Sequence, residues 1–185
     1  STAINAYVGG LGPTKRVVLY DTLLEDLDRG ERRSVVAHEL AHVENRDIPR
    51  GLLFVALSAP LALLFVAGAS RAIAERSGAE PGTPASLPAL ALAFVVASFA
   101  VGIAGNQLSR EVEAKADTDA LELTDDPEGM IRLQQRLADR NLSDPDPPGW
   151  ARFLFGTHPT SLERIGMARA FEQAQGAAGE SGRDP

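Results

Sequence analysis

His38, Glu39 and His42 are the residues of this sequence whose types and spacing point most directly to chemistry. They belong to the segment HELAH, which holds two of the three histidines in the chain. Residues four apart share a face of an α-helix, so both imidazoles can bind one cation. A zinc ion held by three protein ligands keeps a position for water, and Glu39 beside it can accept a proton. The segment therefore predicts a zinc hydrolase site with one ion, if a third ligand exists.

The most suitable third ligand lies much further along the chain. Glu113 and Asp117 are four residues apart, so they share a face of a predicted helix. We expect Glu113 to bind the metal and Asp117 to accept the N–H of a ligand histidine, which fixes the tautomer of that ring. The alternative is a solvated acidic face whose carboxylates pair with Arg110 or Lys115.

Two long uncharged stretches separate the HELAH segment from Glu113. Residues 51–70 carry no charge, and the apolar part of the second stretch covers residues 87–108. Each is long enough to cross a bilayer as a helix. The alternative is a soluble zincin with two buried core helices, although a domain of this length could hardly bury both. A membrane hairpin would return the chain to the face it left and bring Glu113 towards His38.

The flanking charges predict how this hairpin is oriented. Many basic residues precede the first stretch and others follow the second, whereas Arg71 and Arg76 in the connecting loop are offset by Glu75 and Glu80. The positive-inside rule therefore places the HELAH side in the cytoplasm. The basic residues are almost all arginine in a chain rich in alanine and glycine, which is typical of a GC-rich bacterium. We expect an integral protein of a bacterial plasma membrane.

Composition limits the other classes of function. The net charge of -7 and the absence of a basic cluster argue against nucleic-acid binding. The chain has no cysteine, which excludes disulfides and thiolate metal ligands. It begins with Ser1 rather than methionine, so we expect a part of a longer protein. The expected partners are a peptide or protein substrate and the lipid bilayer.

The N-terminal third of the sequence predicts a β-hairpin and then the HELAH helix. Ala3–Val8 and Arg16–Tyr20 are short β-prone runs separated by glycines and a proline. Asp28 with Glu31 three residues later predicts the start of the helix. The predicted buried stripe of that helix consists of Val36, Leu40 and Val43.

The C-terminal third predicts two further helices. Asp126-Pro127 starts an amphipathic helix, and Ser143–Gly149 reads as a proline-rich loop. Thr160 with Glu163 predicts the cap of a last helix. We expect one domain over residues 1–175 and a disordered tail over residues 176–185. The buried side of the amphipathic helix should contain Met130, Leu133 and Leu137.

These segments together resemble the integral-membrane zinc peptidase family that contains the type-I CAAX prenyl proteases and HtpX. The run from Asn5 to Leu24 resembles the CAAX prenyl protease branch in particular. Ala114 stands where an aromatic residue is common in the family. The motifs that carry the resemblance are HELAH with Asn45 and Asp47, Ser109 to Asp117, Thr157-His158-Pro159, and Arg164-Ile165.

The resemblance implies a mainly α (α+β) fold of the zincin-like, gluzincin type. Its helical catalytic domain would carry a short N-terminal β-hairpin and a transmembrane helical hairpin inserted between the two zinc-ligand helices. The implied metal ligands are His38, His42 and Glu113, with Glu39 as general base and Asp117 as the supporting carboxylate.

The resemblance also implies roles for residues outside the metal site. His158 and Arg164 would stabilise the oxyanion or hold the substrate, and the strand containing Asn5, Ala6 and Tyr7 would pair with substrate backbone. Alternatively, His158 is a helix-entry residue packed before Pro159, and Arg164 forms an ion pair with Glu163 or Asp117.

The function implied is a zinc-dependent membrane endopeptidase that uses a metal-activated water and resembles a CAAX prenyl protease. The alternatives are an HtpX-like membrane quality-control protease, or a membrane-anchored sensor or binding module that does not turn over a substrate.

Overall fold

The computed structural model describes residues 5–141 and 144–181, which are mainly helical with one small β-hairpin. This is the predicted fold class. Ala3, the predicted start of the first strand, lies outside the described residues. The elements are β1 (Ala6–Gly9), β2 (Arg16–Leu19), α1 (Asp21–Asp26), α2 (Arg29–Glu44), α3 (Asp47–Arg76), α4 (Leu87–Thr124), α5 (Pro127–Asn141), α6 (Gly149–Phe155) and α7 (Ser161–Ser181).

The β-hairpin pairs β1 with β2 in antiparallel register, with Ala6 opposite Leu19 and Gly9 opposite Arg16. Gly10 follows β1 at φ 91°, a conformation that favours glycine. A Cβ atom at Gly10 would lie 2.3 Å from the carbonyl oxygen of Thr14, so a residue with a side chain would not fit in this turn. The predicted hairpin is therefore confirmed for its described residues.

Helix α2 begins with the predicted capping box. Asp28 Oδ1 accepts from the Glu31 N–H at 2.9 Å, and Glu31 Oε2 accepts from the Asp28 N–H at 2.7 Å. The second oxygen of Glu31 accepts from Arg136 Nε at 2.9 Å, which ties the start of α2 to α5. The pairing explains how the Glu31 carboxylate can be fully buried.

The predicted buried stripe of α2 is wrong. Leu40 is 45% exposed, while Ala37 and Ala41 are buried. Val36 and Val43 are only partly buried. The physical reason is close packing, because α2 contacts both α4 and α5 and small side chains allow these helices to approach.

The two uncharged stretches lie in α3 and α4, which are both long and apolar enough to cross a membrane. Pro60 lies inside α3 without ending it. The large apolar side chains of both helices are mostly exposed, so the alternative of two core helices of a soluble domain is not supported. Val66 of α3 packs against Ala93 and Ala97 of α4, and these contacts join the two helices. Helix α4 continues past residue 108 to Thr124, so one helix carries both the second apolar stretch and Glu113.

Helices α1, α5 and α7 form the main core together with α2 and α4, whereas α6 contacts α4. Met130 and Leu133 of α5 are buried there and Leu137 packs against them, as predicted. The Thr160 and Glu163 cap of α7 also forms as predicted.

Two predictions for the C-terminal third need correction. Gly149, the predicted end of the loop, is the first residue of α6, a helix that the sequence did not predict. Helix α7 runs to Ser181, so residues 176–181 of the predicted disordered tail are helical. Residues 182–185 lie outside the described residues.

Candidate metal centre

His38, His42 and Glu113 converge between α2 and α4. The Nε2 atoms of the two histidines are 3.1 Å apart. Glu113 Oε2 lies 3.2 Å from His38 Nε2, and Glu113 Oε1 lies 3.5 Å from His42 Nε2. Ligands of a tetrahedral zinc ion with bonds of about 2.0–2.1 Å are separated by about 3.3 Å, so the spacing of these atoms fits zinc. The structure thus brings the three predicted ligands together.

The other ring nitrogen of each histidine faces a carboxylate. His38 Nδ1 lies 2.9 Å from Asp117 Oδ1, and His42 Nδ1 lies 2.9 Å from Asp47 Oδ2. If each Nδ1–H donates to its carboxylate, each Nε2 presents a lone pair. Two facing lone pairs and a carboxylate repel one another unless a cation or proton lies between them. The donor set therefore fits a metal ion.

Asp47 was not among the predicted site residues. It is five residues after His42, and residues five apart point in different directions on a continuous helix. Arg46 adopts a left-handed conformation at φ 58°, which separates α2 from α3 and lets Asp47 turn back towards His42. Arg50 Nη1 in turn donates to Asp47 Oδ1 at 3.3 Å.

The acidic pair on α4 is not a solvated face. Asp117 is 1% exposed and Glu113 is mostly buried. Lys115 pairs with Asp119 instead, and Arg110 donates to backbone carbonyls of α6. The alternative that these carboxylates pair with Arg110 or Lys115 is therefore wrong.

Two carboxylates shift the pKa of His38. Burial lowers this pKa, but the hydrogen bonds that the imidazole donates to Asp117 and Glu113 outweigh burial and raise it from 6.5 to about 9. A metal ion at Nε2 would have to displace a proton, so metal uptake and proton release are coupled.

Glu39 is almost completely buried on α2, between the two histidines in sequence. Burial raises the pKa of its carboxyl, while His38 and His42 lower it by smaller amounts. Val8 of β1 and Glu39 line the same cavity, which connects β1 to the site. A raised pKa brings Glu39 nearer to neutral pH, where a carboxylate exchanges protons most effectively.

A cavity of about 480 Å³ opens onto these groups. Its walls include Glu39 and Glu113, and the backbone segment Asn5–Val8 lies along another side. One edge of β1 pairs with β2, and Tyr20 N–H donates to the Asn5 carbonyl at 3.2 Å. The three predicted substrate-binding residues, Asn5, Ala6 and Tyr7, therefore border the same cavity as the metal ligands.

His158 and Arg164 reach the site from the segment between α6 and α7 and from α7 itself. His158 Nε2 lies 3.6 Å from Glu113 Oε1, and its side chain is 58% exposed, which excludes a packed helix-entry role. The Thr157 hydroxyl lies 2.8 Å from His158 Nδ1. Arg164 pairs with Asp117, whereas Glu163 pairs with Arg152. Of the two ion pairs considered for Arg164, the structure contains the one with Asp117.

Comparisons with known proteins identify the family of this chain. Residues 1–172 match Peptidase family M48. The uncharacterized metalloprotease YhfN of Bacillus subtilis (strain 168) is 37% identical over 181 residues, which cover 94% of this chain and 42% of YhfN. A protease HtpX homolog of Limosilactobacillus reuteri (strain DSM 20016) is 33% identical over 187 residues, which cover 89% of this chain and 63% of that protein.

A solved structure shares the fold. The crystal structure of S. mikatae Ste24p superposes with a TM-score of 0.73 at 24% identity, covering 91% of this chain and 42% of the Ste24p chain. The chain spans less than two thirds of the length of each of these relatives. The family predicted from the motifs is confirmed. Since the match extends over residues 1–172, this chain belongs to Peptidase family M48.

Proposed function

We propose that this chain is the catalytic region of a zinc-dependent membrane endopeptidase. The observation that carries the proposal is the convergence of His38, His42 and Glu113, whose ligand atoms lie within 4.8 Å of one another. Membership of a metallopeptidase family implies a metal, usually zinc. We assign one zinc ion to these three residues.

The chemistry of the metal and the role of Glu39 follow from this assignment. When bound, zinc lowers the pKa of a water ligand towards about 7 and polarises the carbonyl of a peptide bond. Glu39 accepts a proton from the attacking water and returns it to the leaving amine. Its burial and raised pKa support this role as general base.

The two residues that reach the site from the C-terminal part have different roles in this proposal. His158 is exposed beside Glu113 and can donate a hydrogen bond to a substrate oxyanion. Arg164 is directed at Asp117, so we assign it to holding that carboxylate against His38 rather than to contact with the substrate.

The substrate is proposed to bind as an extended peptide. Asn5, Ala6 and Tyr7 border the cavity, and an extended peptide can pair with the backbone of an exposed strand. The resemblance of the run from Asn5 to Leu24 to the CAAX prenyl protease branch makes a CAAX-type C-terminus the first substrate to test. Parallel assays with prenylated and unprenylated peptides of one sequence would measure any preference for the lipid.

The hairpin of α3 and α4 is proposed to span a bacterial plasma membrane, with the metal site on the cytoplasmic side. Both helices meet the length and composition that a membrane span requires. The distribution of Lys and Arg supports the orientation.

Substitution of Glu39 and Glu113 tests the proposal in detergent-purified protein. Glu39→Gln should retain one zinc per chain and lose peptide cleavage by about 100-fold or more. Glu113→Ala should lose most of its zinc. Glu44→Gln, which removes an exposed carboxylate from the same helix, is the control and should change neither measurement.

Two results would contradict the proposal. Cleavage that persists in Glu39→Gln would remove Glu39 from the mechanism, and an unchanged zinc content in Glu113→Ala would place the third ligand elsewhere. A wild-type protein that binds zinc and peptide but never cleaves would favour the sensor or binding module.

A further inference from the structure

Helix α6 presents large aromatic side chains to the outside of the molecule. Trp150, Phe153 and Phe155 are 67%, 52% and 62% exposed. The one charged residue in the sequence of this helix is Arg152, which is turned towards α7, where it pairs with Glu163. The most exposed large side chains of α6 are therefore aromatic, and its one charged side chain is neutralised by the ion pair with Glu163, which is unusual for a surface in contact with water.

The backbone carbonyls of α6 are satisfied by side chains of α4. Asn106 Nδ2 donates to the Leu154 carbonyl at 2.7 Å, and Gln107 Nε2 donates to the Phe153 carbonyl at 3.2 Å. The C-terminal carbonyls of a helix otherwise need water or a cap. These bonds allow the end of α6 to lie where water is scarce.

Arg110 completes this arrangement. Its Nη1 donates to the carbonyls of Arg152, at 3.1 Å, and Gly156, at 2.5 Å. A positive charge at this end of a helix also complements the negative end of its dipole. Three polar side chains over little more than one turn of α4 therefore fix α6 beside the end of the second apolar stretch.

Contact with the apolar part of α4 indicates the depth of α6. The rings of Phe99 and Phe155 have centroids 6.4 Å apart. Phe99 is seven residues before Asn106, which corresponds to about 10 Å along a helix. Phe155 thus lies alongside the stretch proposed to be within the bilayer, while the polar contacts of α6 mark its boundary.

We infer that α6 is an interfacial helix on the side of the membrane that carries the metal site, with Trp150 at the level of the lipid headgroups and Phe155 reaching towards the acyl chains beside Phe99. The inference rests on the proposed membrane hairpin. Trp is enriched at membrane interfaces because its ring is apolar and its N–H can bond to water or headgroups. The occupant of this surface is the bilayer itself, because the aromatic surface continues directly from the exposed apolar surface of α4.

An interfacial α6 would connect the membrane surface to the cavity. The segment Thr157-His158 follows α6 after Gly156, and His158 lies 3.6 Å from Glu113. Phe155 and His158 also line one groove that borders the site. The cavity would then lie next to the headgroup region, where a peptide segment leaving the bilayer first becomes accessible.

The chain contains one tryptophan, Trp150, so its fluorescence reports directly on α6. The protein would be reconstituted into phosphatidylcholine/phosphatidylglycerol nanodiscs that contain lipids with a nitroxide quencher near the headgroup or deep in the acyl chain. We expect stronger quenching of Trp150 by the shallow nitroxide than by the deep one, and little quenching by acrylamide in the water.

Two variants calibrate the depth. Phe99→Trp in a Trp150→Phe background should be quenched best by the deep nitroxide. Leu123→Trp in the same background lies 15 residues past Leu108 on α4, about 22 Å further along the helix, and should be quenched only by acrylamide.

A charge on the aromatic surface gives an independent test. Phe153→Glu should reduce quenching of Trp150 by the shallow nitroxide and shift its emission to longer wavelength, whereas Leu123→Glu should leave both unchanged.

The outcomes separate this inference from the membrane hairpin. If the nitroxide lipids quench the Phe99→Trp variant while Trp150 of the wild type is quenched only by acrylamide, α6 faces water and the inference is wrong. If the nitroxide lipids do not quench the Phe99→Trp variant either, the membrane hairpin is wrong and the inference fails with it.

Discussion

Each imidazole of the metal site is held by a carboxylate on the side away from the ligand atoms. Asp117 lies against Nδ1 of His38 and Asp47 lies against Nδ1 of His42, both at 2.9 Å. Each carboxylate has a cationic partner, Arg164 for Asp117 and Arg50 for Asp47. The orientation of both rings is therefore set by residues that do not touch the metal.

Asp47→Ala should weaken zinc binding, because it removes the carboxylate that holds the His42 ring in position. Loss of such a partner typically costs about 10–100-fold in metal affinity. Competition with a chromophoric chelator measures the change. Glu44→Ala, an exposed carboxylate three residues away, is the matched control. An affinity of Asp47→Ala within twofold of the wild type, about the precision of such a titration, would show that the ring needs no partner.

Removal of the metal should make stability depend on the state of His38. Its pKa is raised from 6.5 to about 9, so the stabilisation from its charged form is fully present below pH 6.5 and is lost as the pH rises through 9. We expect the thermal unfolding temperature of chelator-treated protein to fall over this interval. With excess zinc the trend should reverse, since zinc requires the neutral ring.

Asp117→Asn provides the control for this pH dependence, because it removes one of the two carboxylates that raise the pKa of His38. Its chelator-treated form should show a smaller fall in unfolding temperature across the same interval. An equal fall in the variant and the wild type would assign the effect to another group.

The predicted ligands followed from two helical i, i+4 pairs, which are local patterns. Asp47 was recognised only as a motif residue, and its contact with His42 escaped prediction because that contact depends on a single left-handed residue, Arg46, between two helices. Arg164 was recognised through the family resemblance, but its partner was left open, since 47 residues separate it from Asp117 and only the packing of α7 decides between the candidates.

At the scale of elements, helix α2 positions the site through small side chains. Ala37 is buried in the main core with residues of α4 and α5, and Leu40 faces outwards. The positions of the large apolar side chains therefore predicted the wrong buried face for this helix. The capping box, the β-hairpin and the buried face of α5 were predictable because each depends on residues close in sequence.

Opposite substitutions on α2 test which face is buried. Ala37→Leu should destabilise the protein by about 1–3 kcal/mol, because the larger side chain overpacks the contact between helices. Leu40→Gln should change stability by less than about 0.5 kcal/mol. Denaturant unfolding in detergent, followed by Trp150 fluorescence, measures both. A greater loss of stability in Leu40→Gln than in Ala37→Leu would mean that the face predicted from the sequence is the buried one.

Helix α6 shows why a short element can escape prediction. Its seven residues follow a proline-rich segment and have no side-chain N-cap. Its C-terminal carbonyls are bonded by Asn106, Gln107 and Arg110 of α4, more than forty residues earlier in the chain. The helix is thus stabilised by contacts that local sequence patterns do not contain.

For the whole molecule, the apolar hairpin joins the two halves of the metal site. Helix α2 supplies two ligands before the hairpin, and α4 supplies Glu113 after it. The residues that connect α3 to α4 therefore lie at the far end of the hairpin from the site. If the hairpin spans the membrane, that connection and the site must be on opposite sides.

The absence of cysteine makes this topology directly measurable. Ser77→Cys places a thiol just after α3, and Asp139→Cys places one on α5. Both positions are exposed. In intact cells, a membrane-impermeant maleimide should label Ser77→Cys and leave Asp139→Cys unlabelled until the cells are lysed. The reason is that the larger number of Lys and Arg residues on the side of the metal site favours the cytoplasm for that side. The reverse pattern would place the site outside the cytoplasm while keeping the hairpin. Equal labelling of both in right-side-out sealed vesicles would mean that the hairpin does not cross the bilayer.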